Sequence, residues 1–295
     1  MDKSISNYST ENELSYNDHM KLSGNSVKLL NIGGNAIVIK VINNGFTYAI
    51  KIIINTEESE NEVYFNRLLK TVVSTPHIIK SYDIEESSII PFVFNTDEFK
   101  RFCNLDTSEG TSIIYMEYAN KSSLDKYITS IESSHVLIII FQIIYTLMKI
   151  NKVIHGYCFG DLGINNIFVT TDENYEEGID KHYLYILNGK YYSIPILPYI
   201  VKIGDFGCNS KDESDREQFE DMVTLIKSIK HNLPHHREEN FNSLYDAIRY
   251  RDITIFDQIL EFRDEEDEKP IFEESFGLDD LDDIDSFVSI FGMDA

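Results

Sequence analysis

The sequence predicts an α+β fold: a small, mainly antiparallel β region with one helix, followed by a larger, mainly helical region. Three observations predict it. Residues 27–54 hold three strand-like runs separated by turn residues. Residues 57–72 switch to helical spacing. From Ser123 onward helical patterns take over, above all in the nearly all-apolar stretch 136–150. A chain of 295 residues is long enough for two such regions, and a hydrophobic fraction of 42% is that of a globular protein.

The elements follow in order. Residues 27–30, 36–42 and 48–54 read as strands, with Gly33-Gly34 and Asn43-Asn44-Gly45 as the turns, so they form an antiparallel meander. In 57–72, Phe65, Leu68, Leu69 and Val72 fall on one helical face. Residues 77–82, 89–94 and 112–118 are further strand candidates. The stretch 136–150 predicts a buried central helix, too short and too interrupted for a membrane span. Residues 183–187 and 190–194 predict a hairpin across Asn188-Gly189. Phe219, Met222, Val223, Ile226 and Ile229 mark a helix over 216–230, and a last helical stretch covers about 241–262. The expected divisions are a flexible leader (1–25), the β-rich region (26–118), the helical region (119–262) and an acidic tail (263–295).

Formal net charge is −24 and the isoelectric point about 4.6. That balance argues against nucleic acid or anionic membranes as partners, because both require basic surface. Residues 262–295 carry 13 Asp/Glu against 2 Lys/Arg, net −11, almost half of the total. Within 270–295 acidic residues alternate with Leu, Ile and Phe, a pattern suited either to docking on a basic, apolar groove or to a solvated end. Cys103, Cys158 and Cys208 show no metal-like spacing, and their odd number suggests reduced thiols in a cytosolic setting. Cys208 is expected to be buried and inert. The polar N-terminus has no apolar signal-peptide core.

Several residues carry chemistry. Gly33 and Gly34, between two strands, let backbone N–H groups approach phosphates without Cβ interference. Strand alternation points Ala49 and Lys51 to one face. Glu58, Glu60 and Glu62 compete as carboxylate partners of Lys51, and only 58 and 62 share the inward face with Phe65 and Leu69. Asp161, Asn166 and Asp205 flank the strand-like segment 167–170, in the runs Asp161-Leu-Gly-Ile-Asn-Asn166 and Gly204-Asp-Phe-Gly207.

These runs, in this order behind Tyr48-Ala-Ile-Lys51, resemble the eukaryotic-like protein kinase superfamily over about residues 27–260. The looser likeness is to serine/threonine kinases of large cytoplasmic DNA viruses, through Thr75-Pro-His-Ile78 and Asn188-Gly-Lys-Tyr-Tyr-Ser-Ile-Pro195. The resemblance implies a bilobal fold, ATP and Mg2+ as cofactors, and phosphorylation of Ser/Thr in protein substrates. It implies Asp161 as the group that accepts or orients the acceptor hydroxyl. It implies Lys51 at the α/β-phosphates, held by Glu62. Asn166 and Asp205 are the implied metal ligands. Gly33, Gly34, Val38, Ala49, Met116, Glu117 and Ala119 are the implied nucleotide contacts, with Met116 behind the adenine and the backbone of Glu117 and Ala119 at its edge. Asp221 matches the buried Asp that ties its helix to the catalytic loop. A cytoplasmic location, in a host cell or a virion, goes with the viral likeness.

The chain also departs from the pattern. Asn31 and Ala36 stand where the outer loop glycines would be, Phe159-Gly160 replaces His-Arg, Gly163 replaces the usual Lys, and Ala-Pro-Glu is missing. Phe159 is expected to pack on Phe206. Lys211 is a candidate substitute cation, and His155 reads as structural. Without the Arg, the motif has nothing to hold a loop phosphate, so control by loop phosphorylation is not expected. Two alternatives stay open: a pseudokinase or scaffold, and a small-molecule kinase of the aminoglycoside or choline type.

Overall fold

A computed structural model describes residues 26–73, 75–87, 110–187, 190–211, 215–232 and 262–263. The leader, the strand expected at 89–94, Cys103, the turn 188–189, the helix expected over 241–261 and the tail beyond 263 lie outside the described residues. The fold is α+β, with mainly antiparallel sheets and a few helices. The chain divides into two compact units, Met1–Val63 with Ser81–Tyr118, and Tyr64–Lys80 with Ala119–Ala295.

The first unit is built on a five-stranded antiparallel sheet. Strands β1 (Ser26–Ile32), β2 (Ala36–Asn43) and β3 (Phe46–Ile54) form the meander, and β5 (Thr111–Glu117) and β4 (Ser81–Ser87) complete the order β1-β2-β3-β5-β4. The alternation of β2 appears directly as alternating half-buried and buried side chains. One face carries Ile37, Ile39, Val41, Ile50, Ile52, Ile113 and Tyr115, all buried together. Each such side chain contributes about 1.5–3 kcal/mol on burial. The opposite face carries Ile53, Ile114, Ala36 and Met116, covered by Val63 of helix α1 (Glu57–Val72). That helix starts where the sequence places it because Thr56 and Ser59 cap each other: Thr56 N–H donates to Ser59 Oγ (2.7 Å) and Ser59 N–H to Thr56 Oγ1 (3.2 Å).

The strand expected at 77–82 falls later, at Ser81–Ser87. His77, Ile78 and Ile79 are all buried in the second unit, so this run has no inside–outside alternation. Its backbone joins Ile203 through one parallel bridge instead.

The second unit centres on helix α3 (Ser133–Val153), which follows the short β6 (Ser122–Ser123) and α2 (Leu124–Tyr127). Ile138–Met148 is buried without a break, so the helix presents apolar side chains to neighbours all round. Helix α3 runs further than the apolar core of the sequence. By length and composition alone Ser134–Val153 would qualify to cross a membrane, yet the window is mostly buried in the protein, as in a core helix. Strands β7 (Ile167–Thr171) and β10 (Tyr199–Ile203) pair antiparallel, and β8 (His182–Leu187) with β9 (Lys190–Pro195) forms the expected hairpin. Helix α4 (Asp215–Asn232) closes the core with Met222, Leu225, Ile226 and Ile229. Residue 262, the expected end of a helix, stands instead in β11 (Phe262–Arg263), which pairs with β9.

Candidate active site

In the first unit, sheet register decides which side chains share a surface. Val38 and Ile114 lie opposite Lys51, and Lys40 and Met116 lie opposite Ala49. Directly opposed residues project to the same face, so Val38, Ala49, Lys51 and Met116 form one surface. Lys51 is buried there, and its Nζ meets Glu62 Oε1 at 2.6 Å, with both side chains almost fully enclosed. Glu60, one helical step off the inward face, is exposed. Desolvating an ammonium and a carboxylate costs several kcal/mol per ion before their attraction returns it. Such a pair is therefore a poor route to stability.

Gly33 and Gly34 are exposed in the β1–β2 turn, where Gly33 N–H donates to Ala36 O at 2.7 Å. A Cβ at Gly33 would make only an ordinary contact and one at Gly34 none. The local fold does not demand glycine at either place. Glu117 ends β5 opposite Tyr48, and Ala119 opens the second unit.

In the second unit the β7–β10 ladder positions two further residues. Ile167 pairs with Ile203, and Gly204 N–H continues the ladder by donating to Asn166 O at 3.0 Å. Asn166 and Asp205 therefore leave the same end of one strand pair. Gly204 is tightly enclosed, because a Cβ there would press on the Phe168 ring at 2.9 Å and on Ile79 at 3.0 Å. Asp205 is exposed and adopts φ 69°, in the left-handed region that costs a non-glycine residue roughly 1–2 kcal/mol. The Asn166 side chain binds back to the preceding loop: its Nδ2 donates to the Asp161 carbonyl at 2.8 Å and to Asp161 Oδ2 at 3.2 Å. Asp161 itself is exposed. Three oxygen-bearing side chains are thus held on a loop and a strand end joined by hydrogen bonds.

The loop ahead of Asp161 is fixed from below. Asp221 on α4 accepts from Phe159 N–H at 2.5 Å, from Gly160 N–H at 2.9 Å and from the Cys158 thiol at 3.2 Å. Burial pushes the Asp221 carboxyl above its usual range, and these donors pull it back. Cys158 and Ser210 exchange backbone hydrogen bonds of 3.1 and 2.9 Å, which ties the loop to the segment after Phe206-Gly207. Gly160 has φ 79°, and a Cβ there would collide with the Cys208 carbonyl. Phe159 and Phe206 meet edge to face with ring centroids 6.0 Å apart. Lys211 donates to the Tyr64 hydroxyl at 3.2 Å, with its ammonium 5.4 Å from the ring centre.

Cys208 corrects an expectation. It is exposed, and among the described residues the buried thiol is Cys158. Backbone contact explains the difference: Cys208 faces Gly160 with its carbonyl. His155 is exposed in the turn after α3. Two residues inside the quoted motifs take part in contacts that the motifs do not specify. One is Asn165, whose Nδ2 donates to Asn166 Oδ1 at 2.9 Å. The other is His77, fully buried, with Nδ1 against Val201 O (2.9 Å) and Nε2 against the Tyr185 hydroxyl (2.7 Å).

The donor chemistry is that of hard oxygen ligands, carboxylate and amide, which suits Mg2+. Among the described residues no group of three or more His, Cys, Asp or Glu side chains is placed to hold a metal by itself.

No family model matches the chain. A protein of Acanthamoeba polyphaga mimivirus, described as "Putative serine/threonine-protein kinase", is 31% identical over 123 residues. The match covers 40% of this chain and 25% of the viral protein, so the chain spans about a quarter of that relative's length. Part of this chain is therefore related to a protein described as a kinase.

Proposed function

We propose that this protein is a bilobal, kinase-like phosphotransferase that moves the γ-phosphate of ATP to Ser/Thr hydroxyls of protein substrates. The observation that carries the proposal is the grouping of Asp161, Asn166 and Asp205, linked by the Asn166 side chain and by the Gly204–Asn166 ladder bond. The buried Lys51–Glu62 pair supports it, because a costly ion pair held on the sheet face of Val38 and Ala49 is what an ammonium destined for phosphates requires. Glycines at 33 and 34 that the fold itself does not demand fit a loop that lies close to a ligand.

In this reading Asp161 receives or orients the acceptor hydroxyl's proton. Asn166 Oδ1 and the Asp205 carboxylate are the groups that would hold Mg2+, which when bound neutralises phosphate charge. Lys51 supplies a cation to the α/β-phosphates, and Glu62 keeps its ammonium in place. Ala49 and Met116, with the backbone of Glu117 and Ala119, bind adenine. Asp221 holds the backbone of the Asp161 loop. A host-cell or virion setting accompanies the viral relative, and the tail 270–295 is a candidate docking segment for a protein partner.

The test is transfer of label from γ-labelled ATP to a mixed protein substrate in the presence of Mg2+. The wild type should incorporate label and Asp161→Asn should lose it by two orders of magnitude or more, on the order of what a positioned base contributes. Equal incorporation by both proteins rejects the assignment. A nucleotide-free scaffold is the second reading, favoured by Gly163 in place of a charge-neutralising lysine. Absence of thermal stabilisation by Mg-ATP would favour it. Label transfer to an aminoglycoside or choline, but not to protein, would favour a small-molecule kinase.

A further inference from the structure

Resting on the phosphotransferase reading, we infer that Asn165 is a positioning residue for Asn166, and that residue 163 is glycine to make room for it. The Asn166 amide group can point two ways. Its nitrogen meets two acceptors of Asp161, the carbonyl at 2.8 Å and Oδ2 at 3.2 Å, and a donor is what both require. Oδ1 is thereby turned to the other side. There Asn165 Nδ2 donates to it at 2.9 Å. A carbonyl oxygen has two lone pairs. One is taken by Asn165, and the other is left for a cation. The chain Asn165–Asn166–Asp161 locks the amide in the orientation that presents oxygen, not nitrogen, to a metal.

Gly163 is coupled to this chain. It is buried, and a Cβ built on it would collide with Asn165 Oδ1. The obstacle is the tip of an exposed, flexible side chain and not backbone. A methyl group at 163 would therefore leave the loop's fold intact and swing the Asn165 amide away. Gly160, whose Cβ would strike backbone, is the opposite case. Positions 163 and 165 thus act as one unit: the chain forgoes a side chain at 163 and in exchange folds an amide over the neighbouring ligand. The Asn165 amide is exposed and competes with water, so the effect on the ligand is one of orientation and of moderate size.

The test uses the full chain with Mn2+ as the probe, its affinity read by electron paramagnetic resonance in the presence of a non-hydrolysable ATP analogue. Asn165→Ala and Gly163→Ala should each weaken Mn2+ binding about tenfold, the low end of losses on removing a ligand's hydrogen-bond partner. The double variant should be no worse than either single, because both remove the same hydrogen bond. In an Asn166→Ala background Asn165→Ala should do nothing further. The melting temperatures of the metal-free single variants should match the wild type, which separates positioning from a structural role. Wild-type-like Mn2+ affinity in Asn165→Ala, or additive losses in the double variant, overturns the inference and leaves the kinase reading standing. Failure of the wild type to bind Mn2+ with the nucleotide analogue overturns both.

Discussion

Lys51 and Glu62 show what a single residue's surroundings decide. Their contact at 2.6 Å is almost fully enclosed, so removing one partner takes its attraction away from a charge that stays largely desolvated. Lys51→Met should cost about 3–5 kcal/mol of stability in urea unfolding, whereas Lys51→Met with Glu62→Leu should be near neutral. A single variant as stable as the wild type would show that the pair is more solvated than its geometry implies. That Glu62 and not Glu60 faces Lys51 was legible in the sequence, because Phe65 and Leu69 set the helical phase. His77 was visible only as part of Thr75-Pro-His-Ile78, and its contacts were not legible. Its partners Val201 and Tyr185 lie more than a hundred residues away, and no local pattern announces them. Burial lowers its pKa from 6.5 to about 4, with Lys202 and Lys149 adding to the effect and the Val201 hydrogen bond opposing it. The folded state then binds fewer protons than the unfolded one. The stability that neutral His77 contributes is full above pH 6.5 and is lost as pH falls from there to about 4. Comparing denaturation midpoints across that window, the wild type should lose up to about 3 kcal/mol more than His77→Gln. Parallel curves would place His77 in a more hydrated setting.

At the scale of elements, most of the architecture could be read from periodicity. The meander, the helix over 57–72, the central helix and the hairpin across 188–189 all have unambiguous spacing. The missed strand at 81–87 has a physical cause. Its sequence, Ser-Tyr-Asp-Ile-Glu-Glu-Ser, has little apolar content, and its backbone pairing with β5 decides its state. The attachment of the Asp161 loop was legible only in part. Asp221 could be placed by its motif, but the Cys158–Ser210 bridge and the close approach of Gly160 to Cys208 depend on backbone geometry that side-chain patterns do not encode. These contacts predict contrasting costs. Asp221→Ala orphans the Phe159 and Gly160 amides, at about 1–3 kcal/mol for each that stays buried. Gly160→Ala adds a left-handed strain of roughly 1–2 kcal/mol to a backbone collision. Thermal unfolding of both variants should show losses well beyond that of a surface substitution. A wild-type melting temperature in Gly160→Ala would mean that the 207–210 segment moves freely away from the loop.

The whole molecule carries a net charge of −24, yet the residues assigned to chemistry include carboxylates that gain most when a cation joins them. Within each unit rigid elements set the side chains, the sheet register placing Ala49 and Lys51 in the first and the β7–β10 ladder placing Asn166 and Asp205 in the second. Binding and transfer make different demands on them. Asp205 would be required for Mg-ATP to bind at all, while Asp161 would be required only once an acceptor hydroxyl is present. The most direct measurement is therefore Mg-ATP affinity by calorimetry alongside γ-phosphate transfer, in the wild type, Asp161→Asn and Asp205→Asn. Asp161→Asn should bind Mg-ATP as the wild type does and transfer at least a hundredfold more slowly, and Asp205→Asn should lose both. Undiminished transfer by Asp161→Asn, or Mg-ATP binding that ignores Asp205, would contradict the phosphotransferase assignment.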